Sequence, residues 1–331
     1  MSRAPDFKSR EQLAQAAWLA ANTPASARGA GGYDFCLHKD QAYLNLAPSI
    51  QQTAARYFKR PEGDITWHRF AAHARSSQAC CVNFLMPLAC ASEALAVVVG
   101  AALGIAAPQM EEVEKGPDGE PWFVGFEWAG DGTDYLGEGS RGHITRGANA
   151  TSADAIVRFT SEGVRHTLLI EWKYTETYGA PIAKASDPGA IKTRTDRYAD
   201  LAFGVDGIVR PELGLRLADY FWDPFYQVLR QQLLAARMEA NHEKGAQRVR
   251  VLHLSPRDNQ ALHAVTAPAL RAYGTEAFAA YRATLRDGSA FIDTSIGKAF
   301  APLLAAPSLR PAGWAEYLTG RYGFLIEELK D

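Results

Sequence analysis

Cysteine is scarce in this chain, and the few cysteines form no pattern. Cys36, Cys80, Cys81 and Cys90 include one adjacent pair but no C-x-x-C. That excludes a zinc ribbon and a dense disulfide framework. Cys36 and His38 with Cys80 or Cys81 match no familiar metal-ligand spacing, so the thiols read as inert and reduced, as in a cytoplasmic protein. An excess of positive charge is also lacking: 35 Lys and Arg against 37 Asp and Glu give a formal net charge of −2. No global basic surface announces a polyanion, so an anionic substrate must be met by a local patch or by bound cations. The first residues, Met-Ser-Arg-Ala-Pro-Asp-Phe-Lys, lack the apolar stretch of a signal peptide. There is no G-x-S-x-G elbow, no Walker A loop and no H-E-x-x-H. Gly137-Glu-Gly139 has no third glycine in register, which argues against a dinucleotide fold. Neither a helix-turn-helix nor a zinc finger is visible, and there is no internal repeat.

The composition, 47% hydrophobic and 22% charged over 331 residues, is that of an ordinary globular protein rather than a disordered or fibrous one. One region is nearly apolar, Phe84 to Ala107, interrupted by Pro87, Ser92 and Glu93. Its charge-free run, Ala94 to Met110, has 17 residues. That is short for a membrane span and suits a buried helix.

The first part of the chain reads as helical. Residues 8–22 have helical spacing, with Leu13, Ala16, Ala17 and Leu19 as the apolar face. A second helix is expected over 48–58. Residues 76–106 read as one long helix or two meeting near Pro87, with Ser76 and Ser77 as N-cap candidates. After Pro108 the pattern changes. Trp122–Trp128 reads as a strand, a Gly-rich loop covers 130–147, and Ala153–Phe159 is a short strand. Glu162-Gly163 makes a turn into a strand over Thr167–Tyr174. A polar helix or loop spans 187–203. A strong helix follows Asp223-Pro224 to about Asn241, then a strand over Val249–Leu254, and the remainder is mostly helical. The expected fold class is α/β, a mixed central sheet with helices on its faces and helical additions at both ends. The expected organisation is a helical extension over 1–75, a core over 76–260, and a C-terminal helical extension over 261–331.

The chemistry concentrates in Thr151-Ser-Ala-Asp-Ala-Ile-Val-Arg-Phe and Leu168-Leu-Ile-Glu-Trp-Lys-Tyr-Thr-Glu176. Asp154 opens one predicted strand, and Glu171 and Lys173 sit two apart on the next, projecting from one face. The turn between them predicts a hairpin that brings the three together. Paired carboxylates can hold Mg²⁺ through oxygen. Such a metal polarises a phosphodiester and activates water, while a lysine stabilises charge on the phosphate. A Glu-x-Lys on a strand is often only a solvated face. Here it ends an apolar run, where charge is costly unless partnered.

The pattern Asp154-x16-Glu171-x-Lys173 on a hairpin resembles the PD-(D/E)XK nuclease superfamily. The element order from residue 76 to 254 is also similar to that family's αβββαβ restriction-endonuclease-like core. No proline precedes Asp154, a departure at a loosely kept position. The resemblance implies a Mg²⁺-dependent nuclease, with Mn²⁺ as a substitute. It implies Asp154 and Glu171 as metal ligands and Lys173 as the catalytic lysine. A further carboxylate is expected from Glu93, Glu127 or Glu138, with Glu127 favoured at the end of the first strand; Glu176, beyond Lys173, is placed on the opposite face. Gln227 and Gln231 lie one turn apart on the helix after Asp223, and Gln227 is taken as a candidate active-site glutamine. Ser76, Ser77 and Gln78 are candidates for a phosphate contact at a helix N-terminus. Arg141, His143 and Arg146 before Asp154, and Lys184, Lys192, Arg194 and Arg197 after it, could clasp phosphates; solvated loop charges are the alternative.

The expected substrate is DNA, in restriction, phage defence or repair. RNA cleavage, an exonucleolytic mode and a non-catalytic nucleic-acid- or protein-binding member of the fold remain alternatives. A homodimer is expected if both strands of a duplex are cut, and no membrane partner is expected.

Overall fold

The computed structural model describes residues 5–60, 65–139, 143–148 and 150–330. Helix α1 (Phe7–Asn22) is started by Asp6, whose Oδ1 accepts the Ser9 N–H at 2.8 Å. It forms where expected but buries a different face: Phe7, Glu11, Gln15 and Leu19 are inside, and Leu13 is 68% exposed. The two polar groups are buried because they are satisfied. Glu11 accepts the Tyr174 hydroxyl, and the Gln15 amide donates to the Arg321 carbonyl at 2.9 Å. Helix α2 (Gln51–Phe58) continues a 3₁₀ turn over Pro48–Ile50.

The apolar region forms two helices, not one. Helix α3 (Ser77–Leu85) is capped by Ser76 Oγ, which accepts the Ala79 N–H at 3.3 Å. A 3₁₀ turn at Met86–Leu88 carries Pro87, and helix α4 (Ser92–Leu103) ends at Gly104 in the left-handed conformation. Among the described residues no helix is long and apolar enough to cross a membrane.

Strands β1 (Gln109–Glu111), β2 (Glu114–Lys115), β3 (Pro121–Trp122) and β4 (Val124–Trp128) follow. The single strand expected over Trp122–Trp128 is split at Phe123, whose N–H donates to the Ala89 carbonyl at 2.7 Å. Strands β5 (Ala153–Ser161) and β6 (Val164–Trp172) form the predicted hairpin. Helices α5 (Pro188–Phe203) and α6 (Phe225–Ala240) lead to β7 (Arg248–Ser255). Helix α7 (Ala277–Thr284), strand β8 (Phe291–Ser295) and helices α8 (Ile296–Leu304), α9 (Trp314–Arg321) and α10 (Phe324–Glu328) complete the chain.

The main sheet has the order β1–β5–β6–β7–β8, with β4 also on β5. β1 pairs with residues 158–160 of β5 and β4 with residues 153–157, so the two lie end to end along one side of it. β5 and β6 are antiparallel, whereas β6–β7 and β7–β8 are parallel. The sheet is therefore mixed, as expected. β8 lies in the segment read as mostly helical. It has five residues, only Phe291 is buried, and its pattern is polar, so no hydrophobic run marks it.

Helices cover both faces. Ala155, Val157, Phe159, Leu168, Ile170 and Trp172 pack against α2–α4 and α8–α10, while Ile156, Leu169, Val249 and Val251 pack against α5–α7. This explains why Leu168-Leu169-Ile170 is an unbroken apolar run: the strand is buried from both sides. Trp172 is turned away from Glu171 and Lys173, against Phe84 and Phe300.

Candidate active site

Register builds the site. The Glu162-Gly163 turn has both residues at positive φ, 51° and 77°. This two-residue connection matches the strand twist and allows no slip. It sets Ala155 opposite Ile170, and one step further Asp154 stands opposite Glu171. On the other side Phe126 pairs with Ala155 and Trp128 with Ala153, so Glu127 faces Asp154. Three carboxylates thus lie abreast on three neighbouring strands. Glu127 adopts φ 51°, a costly conformation for a non-glycine residue.

Each carboxylate has a defined neighbour. The Trp172 N–H donates to Asp154 Oδ2 at 2.7 Å. The Lys173 ammonium pairs with Glu171 Oε1, and the Gln231 amide of α6 donates to Glu171 Oε2. The Gln78 amide donates to Glu127 Oε1 at 2.5 Å. Burial and the neighbouring Glu171 charge push Asp154 well above the usual carboxylate range. Burial, with Glu171 adding to it, raises Glu127 to about 7 although the Gln78 hydrogen bond opposes this. Burial alone would lower Lys173; the charges of Glu171 and Asp154 outweigh it and hold the ammonium well above its ordinary range. Fully ionised, the row would carry more negative charge than one lysine neutralises.

These groups line a cleft of about 710 Å³. Asp154, Glu171, Lys173 and Glu127 meet there, and Gln227 lies on the wall, its Oε1 accepting the Tyr178 hydroxyl at 3.1 Å. Of the two glutamines, Gln231 and not Gln227 touches a carboxylate. Glu176 also lines the cleft, bonded to the Ser77 hydroxyl and the Tyr174 N–H. Strand alternation does not carry it to the far face, because β6 ends at Trp172. Ser76, Ser77 and Gln78 border the same space. Glu93 does not join the site; it is exposed in the first turn of α4. Glu138 is bonded to Thr151 and Tyr198, bracing the start of β5.

The cations lie differently from the expectation. Arg146 is turned into the protein. It donates to Glu114 at 2.8 Å, to the Tyr57 hydroxyl at 2.8 Å and to the Phe126 carbonyl at 3.1 Å through Nε. Lys192 is exposed and paired with Asp196 at 2.6 Å. Arg194 donates to the carbonyls of Lys184 and Ala183 at 3.1 and 2.8 Å, and Arg197 lies 5.8 Å from the Tyr198 ring. Lys192, Arg194 and Arg197 lie on α5 and Lys184 just before it; none of them lines the cleft, and His143 is exposed. Arg141 lies outside the described residues. Among the described residues the cations that line the cleft besides Lys173 are Lys8, Arg69, Arg75 and Arg230, none of them anticipated. Arg230 had a signal, one position before Gln231 on the same helix. The others come from segments distant in sequence.

Cys80 and Cys81 are buried in α3, where burial pushes both thiols up; for Cys81 the nearby charges of Asp154, Glu127 and Glu171 add to it. Among the described residues no three His, Cys, Asp or Glu side chains form a ready-made metal cage.

The chain itself belongs to a restriction-endonuclease family. The family is the one described as "Restriction Endonuclease associating with ARP", whose model matches residues 11–323. No curated protein and no solved structure matches the chain.

Proposed function

We propose that this chain is a Mg²⁺-dependent endonuclease of the PD-(D/E)XK type, hydrolysing DNA phosphodiester bonds on a restriction-endonuclease-like core. The observation that carries the reading is the row Glu127–Asp154–Glu171 with Lys173 at its end, set on a cleft floor. Three carboxylates abreast, two of them pushed towards their protonated forms, fit a divalent cation that relieves their repulsion. A complete protein cage is not required, because Mg²⁺ usually takes one or two carboxylates and fills its shell with water and substrate phosphate. Asp154 and Glu171 would hold the ion, with Glu127 as the third carboxylate. When bound, such an ion polarises the phosphodiester and lowers the pKa of water at neutral pH.

The chain's own groups do the rest. Gln231 orients Glu171, the Trp172 N–H orients Asp154, and Lys173 stays charged so that it can orient the attacking water and meet charge developing on the phosphate. Gln227 and Arg230 face the cleft from α6 as contacts for the scissile phosphate. Arg141, Lys184, Lys192, Arg194 and Arg197 are proposed to hold flanking phosphates, in a cytoplasmic enzyme. One site cuts one strand, so cutting both strands of a duplex calls for a second copy.

The test is cleavage of supercoiled plasmid, single-stranded DNA and RNA with Mg²⁺, with Mn²⁺ and with chelator, wild type beside Asp154→Ala. Metal-dependent cutting that the substitution abolishes is expected. Cutting that persists in chelator, or in the variant, removes the reading. Preference for RNA would replace DNA as the substrate.

A further inference from the structure

The wall facing the carboxylates is built by residues His68 to Arg75, and it has features that a metal site does not need. Phe70 is 47% exposed where it borders the cleft, and among the described residues it is the only phenylalanine exposed to that degree. The Arg69 guanidinium lies 4.7 Å from the Phe70 ring. The His68 and His73 rings stand 5.1 and 6.3 Å from it. Among the described residues neither Arg69 nor Arg75 has an ion pair, and Nε and Nη1 of Arg75 are buried without a hydrogen-bond partner. By contrast Arg60, Arg146 and Arg158 are all paired with carboxylates.

This wall is rigid. The Asn45 side chain donates to the carbonyls of Ala71 and His73, each at 2.9 Å, and the Ala74 N–H donates to the Phe35 carbonyl at 2.9 Å. The His68 N–H donates to Gln78 Oε1 at 2.8 Å, and Gln78 in turn holds Glu127. The aromatic strip is thereby fixed to the carboxylate row.

We propose that His68 to Arg75 is a nucleotide clamp: Arg69 and Arg75 take backbone phosphates, and Phe70 stacks on an unstacked base beside the scissile phosphate. This rests on the nuclease reading and narrows its substrate to a strand that is single, or locally opened, where it enters the cleft. Free cations interleaved with an exposed ring are the physical requirements for binding such a strand, because every base has a π-face but a stacked duplex hides it.

The experiment is fluorescence anisotropy with a labelled single-stranded DNA 12-mer and with its duplex, in chelator and again with Ca²⁺. Wild type runs beside Phe70→Ala, Phe70→Trp and the double variant Arg69→Ala/Arg75→Ala. Tighter binding of the single strand is expected. Phe70→Ala should weaken it about ten-fold, Phe70→Trp should restore it, and duplex binding should change less than two-fold. Equal binding of the single strand by wild type and Phe70→Ala, or preference for duplex, overturns the clamp. Plasmid cleavage with Mg²⁺ by the same variants separates the two ideas. If Phe70→Ala cuts like wild type and Asp154→Ala does not cut, the nuclease stands and the clamp falls. If wild type neither binds nor cuts any nucleic acid, both fall.

Discussion

Lys173 shows how one side chain is defined by its neighbours. It is nearly buried, yet it stays charged because Glu171 and Asp154 surround it. Lys173→Met keeps the length and removes the ammonium. Single-turnover cleavage is expected to fall by about 10²–10³-fold. Retention within three-fold would remove the lysine from the mechanism. Arg146 is the opposite case. Its charge is spent on Glu114, which burial would raise and Arg146 and Arg60 hold below the usual range. Arg146→Ala leaves that carboxylate partly orphaned and should cost roughly 2–3 kcal/mol of stability, read from urea unfolding. Unchanged unfolding with weaker DNA binding would return Arg146 to the nucleic-acid interface. The triad Asp154, Glu171 and Lys173 was legible because its spacing on a hairpin has one geometric outcome. Arg146 was misplaced because sequence distance from Asp154 says nothing about which way a loop arginine turns.

At the scale of elements, the β5–β6 hairpin makes the site. Its turn needs positive φ at Gly163, a conformation in which a side chain with a Cβ is strained by about 1–2 kcal/mol. A one-residue slip would move Asp154 to the other face. Gly163→Val should therefore lower the urea midpoint and reduce cleavage together, although residue 163 lies at the far end of the hairpin from the carboxylates. A variant with full activity and unchanged stability would show that packing alone sets the register. Long periodic elements were readable: α1, the α3–α4 pair, α6 and the hairpin are where the pattern put them. The three-residue β1 and five-residue β8 were not, since short edge strands exist through pairing rather than pattern. The buried face of α1 was misjudged for a related reason. Glu11 and Gln15 are inside because Tyr174 and Arg321, far along the chain, supply their partners.

For the whole molecule, the raised carboxylates link folding, protons and metal. Glu127 binds its proton more tightly folded than unfolded, so its contribution to stability is present at low pH and is lost as pH rises from about 4.5 through about 7. Its size is on the order of 3 kcal/mol. Histidines such as His73, lowered to about 4 by burial beside Arg75, tilt the curve the other way over part of that range. The clean quantity is therefore the difference between wild type and Glu127→Gln. In chelator, wild type should lose melting temperature relative to the variant between pH 5 and pH 8, by several degrees. Added Mg²⁺ should stabilise wild type more at pH 8 than at pH 6, because cation and proton compete for one row of oxygens. A pH-independent difference, or no stabilisation by Mg²⁺ at either pH, would mean that the row does not bind the ion.

The local sequence determined the hairpin, its turn, the buried strand and the placing of Asp154, Glu171 and Lys173 on one face. Those follow from strand periodicity and turn chemistry, which act over a few residues. Only the tertiary structure brought Glu127, and not Glu93 or Glu138, into the row, set Gln231 rather than Gln227 on Glu171, and drew the cleft's further cations from Lys8, Arg69, Arg75 and Arg230. Each of these depends on which distant segments pack against the hairpin. That choice is made by the burial of whole faces, and no spacing within one element records it.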